Sequence, residues 1–163
     1  MKGMKLRVPQ APLYVMFAKI YGANATPIAF AEVYLALQQG TVDGQENPLP
    51  TILAKKFYEV QKYMHLTGHI TESLVSVLGQ PLLRKLNDGE KKIFADVLQQ
   101  AASKSTDAIR DSEQKLPAEF EKLGKTVTRP DRAAFRKVAV PAHLGPDGLA
   151  YWTKEQYEAL QKL

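Results

Sequence analysis

No cysteine occurs among the 163 residues. That excludes disulfides, thiolate zinc sites and a cysteine nucleophile, and it leaves the redox compartment undecided. No stretch approaches the roughly 20 apolar residues that cross a bilayer. The three histidines, His65, His69 and His143, lack zinc-ligand spacing, so no metal and no cofactor are expected. Glycine-rich phosphate loops are missing, and no serine sits in a nucleophile elbow. Carboxylate pairs such as Glu119 and Glu121 fall on a helix face expected to be exposed. With no catalytic constellation, the chain reads as a non-enzyme.

One-signed charge is also scarce. Lys and Arg number 22 against 17 Asp and Glu, a net charge of +5, and most basic residues stand near an acid, as in Arg110-Asp111 and Lys154-Glu155. No basic run alternates with aromatics, so no nucleic-acid partner is expected. What the chain does have is apolar material, 45% of its residues. A chain of this size buries about 70% of its unfolded surface, enough for a core without staples. The opening Met1-Lys2-Gly3-Met4-Lys5-Leu6-Arg7 enters charged, strand-like sequence at once rather than a secretory leader. The choice is between a cytoplasmic protein and one whose front has been removed, and the pattern further along favours removal.

Lys5–Val8 reads as a short strand ended by Pro9 and Pro12. Leu13, Phe17, Ile20 and Tyr21 follow at helical spacing, closed by Gly22. Residues 26–30 and 42–46 read as strands on either side of a helix carrying Val33, Tyr34 and Leu37. Pro50 suits the first turn of a helix with Leu53, Phe57 and Val60. Residues 63–67 and 74–78 are two further strands. Short strands alternating with helices predict an α/β fold with a parallel-rich sheet flanked by helices.

The style then changes. Asn87 with Glu90 forms a capping box, and behind it runs a long helix with a polar waist over 103–112. So polar a middle suits a helix bridging two bodies. Pro117 should kink or restart it. Residues 125–128 form a strand candidate. Residues 131–138 and 153–163 form terminal helices, joined by a Pro/Gly-rich loop over 141–148.

Three features converge on an anion. Arg7 closes the first strand, and in open α/β sheets ligands bind outside the carboxyl ends of strands. Its planar fork holds a carboxylate bidentately, as lysine cannot. From position alone a surface salt bridge explains it equally. Asn47, in Asp43-Gly44-Gln45-Glu46-Asn47-Pro48, closes another strand at the same edge, either as a donor or as an Asn-Pro turn. Phe30 fits a pocket wall or a core.

Six motifs in order then carry a resemblance: Lys5-Leu6-Arg7-Val8-Pro9, Gly22-Ala23-Asn24-Ala25-Thr26-Pro27, Ala29-Phe30-Ala31-Glu32-Val33-Tyr34, Ala36-Leu37-Gln38-Gln39-Gly40, Val42-Asp43-Gly44-Gln45-Glu46-Asn47-Pro48 and Lys56-Phe57-Tyr58-Glu59-Val60-Gln61-Lys62-Tyr63. Together they resemble the substrate-binding proteins of tripartite ATP-independent periplasmic (TRAP) transporters, the dicarboxylate-binding type. The match is dense over residues 3–79 and looser beyond.

The resemblance implies a two-lobed periplasmic binding fold that closes on a small organic acid and docks on membrane permease subunits. It carries the ligand salt bridge to Arg7, a carboxylate contact to Asn47, ligand packing to Phe30 and a weaker role at the pocket edge to His69. Gln10 stands where sialate-binding members have a pocket asparagine. Leu74 stands where they carry a polar contact, which argues against a sialic acid. Ala31 replaces a helix-capping serine, a loss of about 1 kcal/mol. The long helix matches one that runs between the lobes. On this basis residues 1–72 and 113–163 are the second lobe. Residues 73–112, with part of the long helix, are a segment returning to a first lobe that should precede residue 1. Such a chain is expected to bind ligand weakly by itself and to expose Leu74, Val75, Val77 and Leu78, inviting a homodimer. The alternatives are a truncated interaction module that no longer transports, and a small α/β enzyme.

Overall fold

The computed structural model describes residues 1–162. Strand β1 (Lys5–Val8) lies at the centre of a three-stranded sheet, with β2 (Asn24–Pro27) and β3 (Gly44–Gln45) on either side, both parallel to it. Leu6, Arg7 and Val8 are all buried, so both faces of β1 are covered, as expected of a parallel sheet. The order β2-β1-β3 puts the crossover reversal between β1 and β3, and that switch point is where open α/β sheets bind ligands.

Helix α1 (Pro12–Ile20) starts on proline, whose fixed φ suits the first helical position. The chain leaves it through Gly22 at φ 73. Helix α2 (Val33–Gln38) follows a 3-10 turn over Phe30–Glu32, and no side chain caps either one. Ala31, expected to stand at a helix cap, lies instead inside the 3-10 turn, and the cap positions are Ala29 and Glu32. Helix α3 (Leu49–Ala54) leads through a second 3-10 turn (Phe57–Val60) into β4 (Tyr63–His65). β4 pairs in parallel with β5 (Thr126–Thr128) in a separate two-stranded sheet.

Between these lie α4 (Gln80–Leu83) and the 35-residue α5 (Asp88–Lys122), and α6 (Arg132–His143), α7 (Pro146–Leu149) and α8 (Lys154–Leu160) complete the chain. Two apolar clusters hold it together. Leu6, Val8, Ala18 and Ala23 join β1 to α1, while Val33, Val42, Ile52, Phe57, Met64, Leu116 and Phe120 join α2, α3 and β4 to the last turns of α5.

Several expectations need correction. The strand over 26–30 is shifted: the ladder runs Asn24–Pro27, with one further bond from the Ile28 N–H to the Val8 carbonyl at 3.3 Å, and it ends where β1 itself ends, at Val8 before Pro9. Residues 42–46 shrink to a two-residue strand. No strand forms over 74–78. Those residues are coil, Leu74 is 93% exposed, and no strand among the described residues pairs with them. An apolar β-prone run without a ladder partner has nowhere to place its backbone donors and stays irregular. Pro117 does not restart α5, which continues to Lys122. The carbonyl it leaves unbonded belongs to exposed Glu113, open to water, and the proline ring is buried beside Leu116. Likewise α6 runs through Pro141, and the expected loop over 141–148 holds the short α7. The terminal helix is described to Leu160, and position 163 of the expected span lies outside the described residues.

Candidate anion-binding site

Among the described residues Arg7 is the one polar residue in the buried core, with 3% of its surface exposed. Its position follows from the end of β1. Past Val8 no strand residue takes up the Ile28 carbonyl, and it accepts from both Arg7 Nε (3.0 Å) and Nη2 (2.8 Å). These two hydrogen bonds pin the guanidinium plane. Nη1 and the second Nη2 hydrogen donate to no described residue, and no carboxylate forms an ion pair with Arg7. Burial pulls its pKa below the ordinary arginine value, while nearby Glu46 and Tyr14 push it back up. Arginine stays charged in proteins. A buried charge is normally paired, so this guanidinium has donors left for an anion.

Phe30 begins the 3-10 turn just past β2, 42% exposed and set edge-on against Phe57 at 5.9 Å. The Arg7 guanidinium carbon lies 5.9 Å from its ring centre and Lys55 Nζ lies 5.7 Å from it. Two cations over one ring gather positive charge at the β1 end. Asn47 follows β3, whose Gln45 is the register partner of Arg7. Asn47 donates to the Gln45 side chain at 2.5 Å, and Gln45 donates to Gln61 at 3.3 Å. This amide chain starts from the strand next to Arg7.

His69 sits further round. Its Nδ1 shares a 2.6 Å hydrogen bond with Thr67 Oγ1, its ring stacks on Phe17 at 4.1 Å, and its Nε2 lies 3.5 Å from Glu46 Oε2. Nε2 is fully buried, and that approach falls outside hydrogen-bonding geometry, so it has no partner among the described residues. Tyr14 faces the same carboxylate. Its pKa is raised first by burial and then by Glu46 and Glu72.

The structure thus brings Arg7 and Phe30 together, sets Asn47 beside Arg7's register partner, and links His69 to Arg7 only through Glu46. Gln10 is exposed on the loop after β1, and its side chain forms no hydrogen bond among the described residues. Lys55, Gln45, Gln61, Tyr14 and Glu46 belong to the neighbourhood but carried no sequence prediction of their own. Gln45 and Glu46 were flagged only as part of a motif, and the direction of Tyr14 and Lys55 on their helices is not visible in spacing. Among the described residues no group of three or more metal-ligating side chains converges.

Comparison with known proteins gives a consistent result. The description "Bacterial extracellular solute-binding protein, family 7" matches residues 1–145. The sialic acid-binding periplasmic protein SiaP of Vibrio cholerae is 43% identical over 142 residues, which are 87% of this chain and 44% of that protein. A TRAP periplasmic solute binding protein from Roseobacter denitrificans, solved with 3-deoxy-D-manno-oct-2-ulosonic acid, superposes with a TM-score of 0.85 at 34% identity, covering 94% of this chain and 50% of that one. Another from Polaromonas, bound to D-erythronate, superposes with a TM-score of 0.83 at 37% identity, covering 91% and 50%. The chain spans about half the length of the relatives it matches.

Proposed function

The chain belongs to bacterial extracellular solute-binding protein family 7, a family of binding proteins rather than enzymes, and from that premise we propose that it forms the arginine-bearing part of a TRAP transporter's periplasmic capture protein. Its solute is a hydroxylated organic acid, and its partners are the transporter's membrane subunits. The observation that carries this reading is the buried Arg7 fork, pinned on one edge by Ile28 and without an ion-pair partner on the other. The named ligands of the relatives support the solute class, since sialic acid, 3-deoxy-D-manno-oct-2-ulosonic acid and D-erythronate each pair one carboxylate with several hydroxyls. In this reading Arg7 takes the carboxylate, Phe30 packs on the ligand body, and Asn47 offers an amide to a carboxylate oxygen. His69 and Gln10 contribute at the pocket edge. No helix among the described residues is long and apolar enough to cross a membrane.

The lobe division also belongs here. Residues 1–72 with 113–163 make the second lobe, and 73–112 return to the first. Supporting this, none of residues 73–112 is buried, whereas Leu116, Pro117 and Phe120 are. Self-pairing of the exposed 74–78 run into a homodimer is the accompanying proposal.

Native mass spectrometry of the protein in its two-lobed form tests the function. A co-purified mass matching a sugar acid, released in acid, is expected. A protein that carries no such mass and takes up none from a panel of aldonates and ulosonates contradicts the proposal.

A further inference from the structure

A cavity that Arg7, Phe30 and Asn47 do not line lies elsewhere in the chain. It has a volume of about 550 Å³ and runs between α1 and α6, with α8 along its flank. Phe17, Tyr21, Phe135, Trp152, Tyr157 and Leu160 supply its apolar walls. The volume fits a drug-sized ligand, and such pockets combine an apolar lining with a few placed polar groups.

Here the placed groups are two arginines. Arg132 and Arg136 both line the cavity, and no Asp or Glu does. Neither forms an ion pair among the described residues, whereas nearby Arg129 reaches Glu121 at 4.0 Å. Arg136 donates to the Gln161 side chain and has further N–H groups to spare. The Arg132 head is packed on the backbone of Gly68, where an added Cβ would come within 2.7 Å of its guanidinium carbon. Gly68 also has φ 56, so that position suits glycine on both counts. The sequence thus keeps a guanidinium at the edge of an aromatic groove without giving it a carboxylate.

We propose that this groove is a second acid-binding site, taking a carboxylate that carries an aromatic body. The two forks meet the carboxylate, and the ring enters between Phe17, Phe135 and Tyr157. His69 stands between the two sites, since it lines this groove while its Nε2 faces Glu46 on the Arg7 side. The proposal does not depend on what Arg7 binds.

Trp152 is the only tryptophan of the 163 residues and lines both this groove and the neighbouring hollow over 149–156, so its fluorescence reports binding and the arginine double variant assigns it to the groove. The chain is titrated with phenylpropionate and, separately, with the uncharged phenylpropanol. The expected result is a saturable change with the acid, binding at least about tenfold weaker for the alcohol, and a loss of about tenfold or more in R132M/R136M. R129A, whose side chain reaches Glu121 and does not line the groove, leaves the titration unchanged. Equal binding of acid and alcohol on the wild-type chain overturns the proposal even if the double variant fails to fold. So does the absence of any saturable change.

Discussion

β1 ends at Val8, whose carbonyl takes the Ile28 N–H at 3.3 Å, and the Ile28 carbonyl, left without a strand partner, holds Arg7 by two hydrogen bonds. A guanidinium pinned along one edge presents the other without losing further rotamer entropy. At this scale the motif residues were legible in sequence: Arg7, Asn47 and Phe30 sit at strand ends that chain punctuation marks. What was not legible is which groups face them. Lys55 over Phe30 and the Asn47–Gln45–Gln61 amide chain depend on side-chain directions that only packing fixes.

Phe30→Ala should weaken solute binding by about 1–3 kcal/mol in calorimetry, by removing apolar surface from the ligand body. A second residue-scale prediction concerns His143, beside Trp152 and Tyr157, whose pKa burial lowers from its ordinary value. A base with a depressed folded pKa binds fewer protons folded than unfolded, so stability rises with pH through that window. Scanning calorimetry should show Tm falling as pH drops below about 6.5, and His143→Gln should flatten the fall. An unchanged slope in the variant would remove His143 as the cause.

Among the elements, α5 divides sharply. Its first turn is held by the Asn87–Glu90 capping box, with bonds of 2.9 and 2.8 Å, and its last turns are anchored by Leu116 and fully buried Phe120. Between them lie only exposed or half-exposed residues. Helix stability in proteins comes mostly from packing an apolar face, so the two ends should respond differently to substitution. Phe120→Ala should cost about 3–5 kcal/mol in urea unfolding. Asn87→Ala should speed amide exchange over the first turns while barely moving the global midpoint. Equal global losses from both would mean that the whole helix unfolds as one unit with the core.

The elements also show where periodicity misleads. The capping box and polar waist read correctly because both are local signals. The run Leu74–Val77 carries the composition of a strand, yet a strand needs a neighbour, and composition cannot supply one. Pro117 misled in the opposite direction, because a proline in a helix is tolerated where the freed carbonyl meets water and the ring meets the core.

For the whole molecule, the polar-waisted helix and the exposed apolar run stand out in a chain that spans about half the length of its relatives. With 74–78 uncovered, light scattering coupled to size exclusion should report a dimer of the isolated chain. A clean monomer at high concentration would show that the run stays unpaired. The proposed solute capture belongs to this scale too, because a carboxylate held by Arg7 would become dry, and therefore strongly bound, only with lobes closed over it. The most direct test is a calorimetric titration of D-erythronate, or of whichever acid co-purifies, into the two-lobed protein and its Arg7→Lys and Arg7→Ala variants. The account predicts losses of about 2–5 kcal/mol for alanine and a clear loss for lysine, whose point charge cannot reproduce the fork. Wild-type affinity in Arg7→Ala would contradict it.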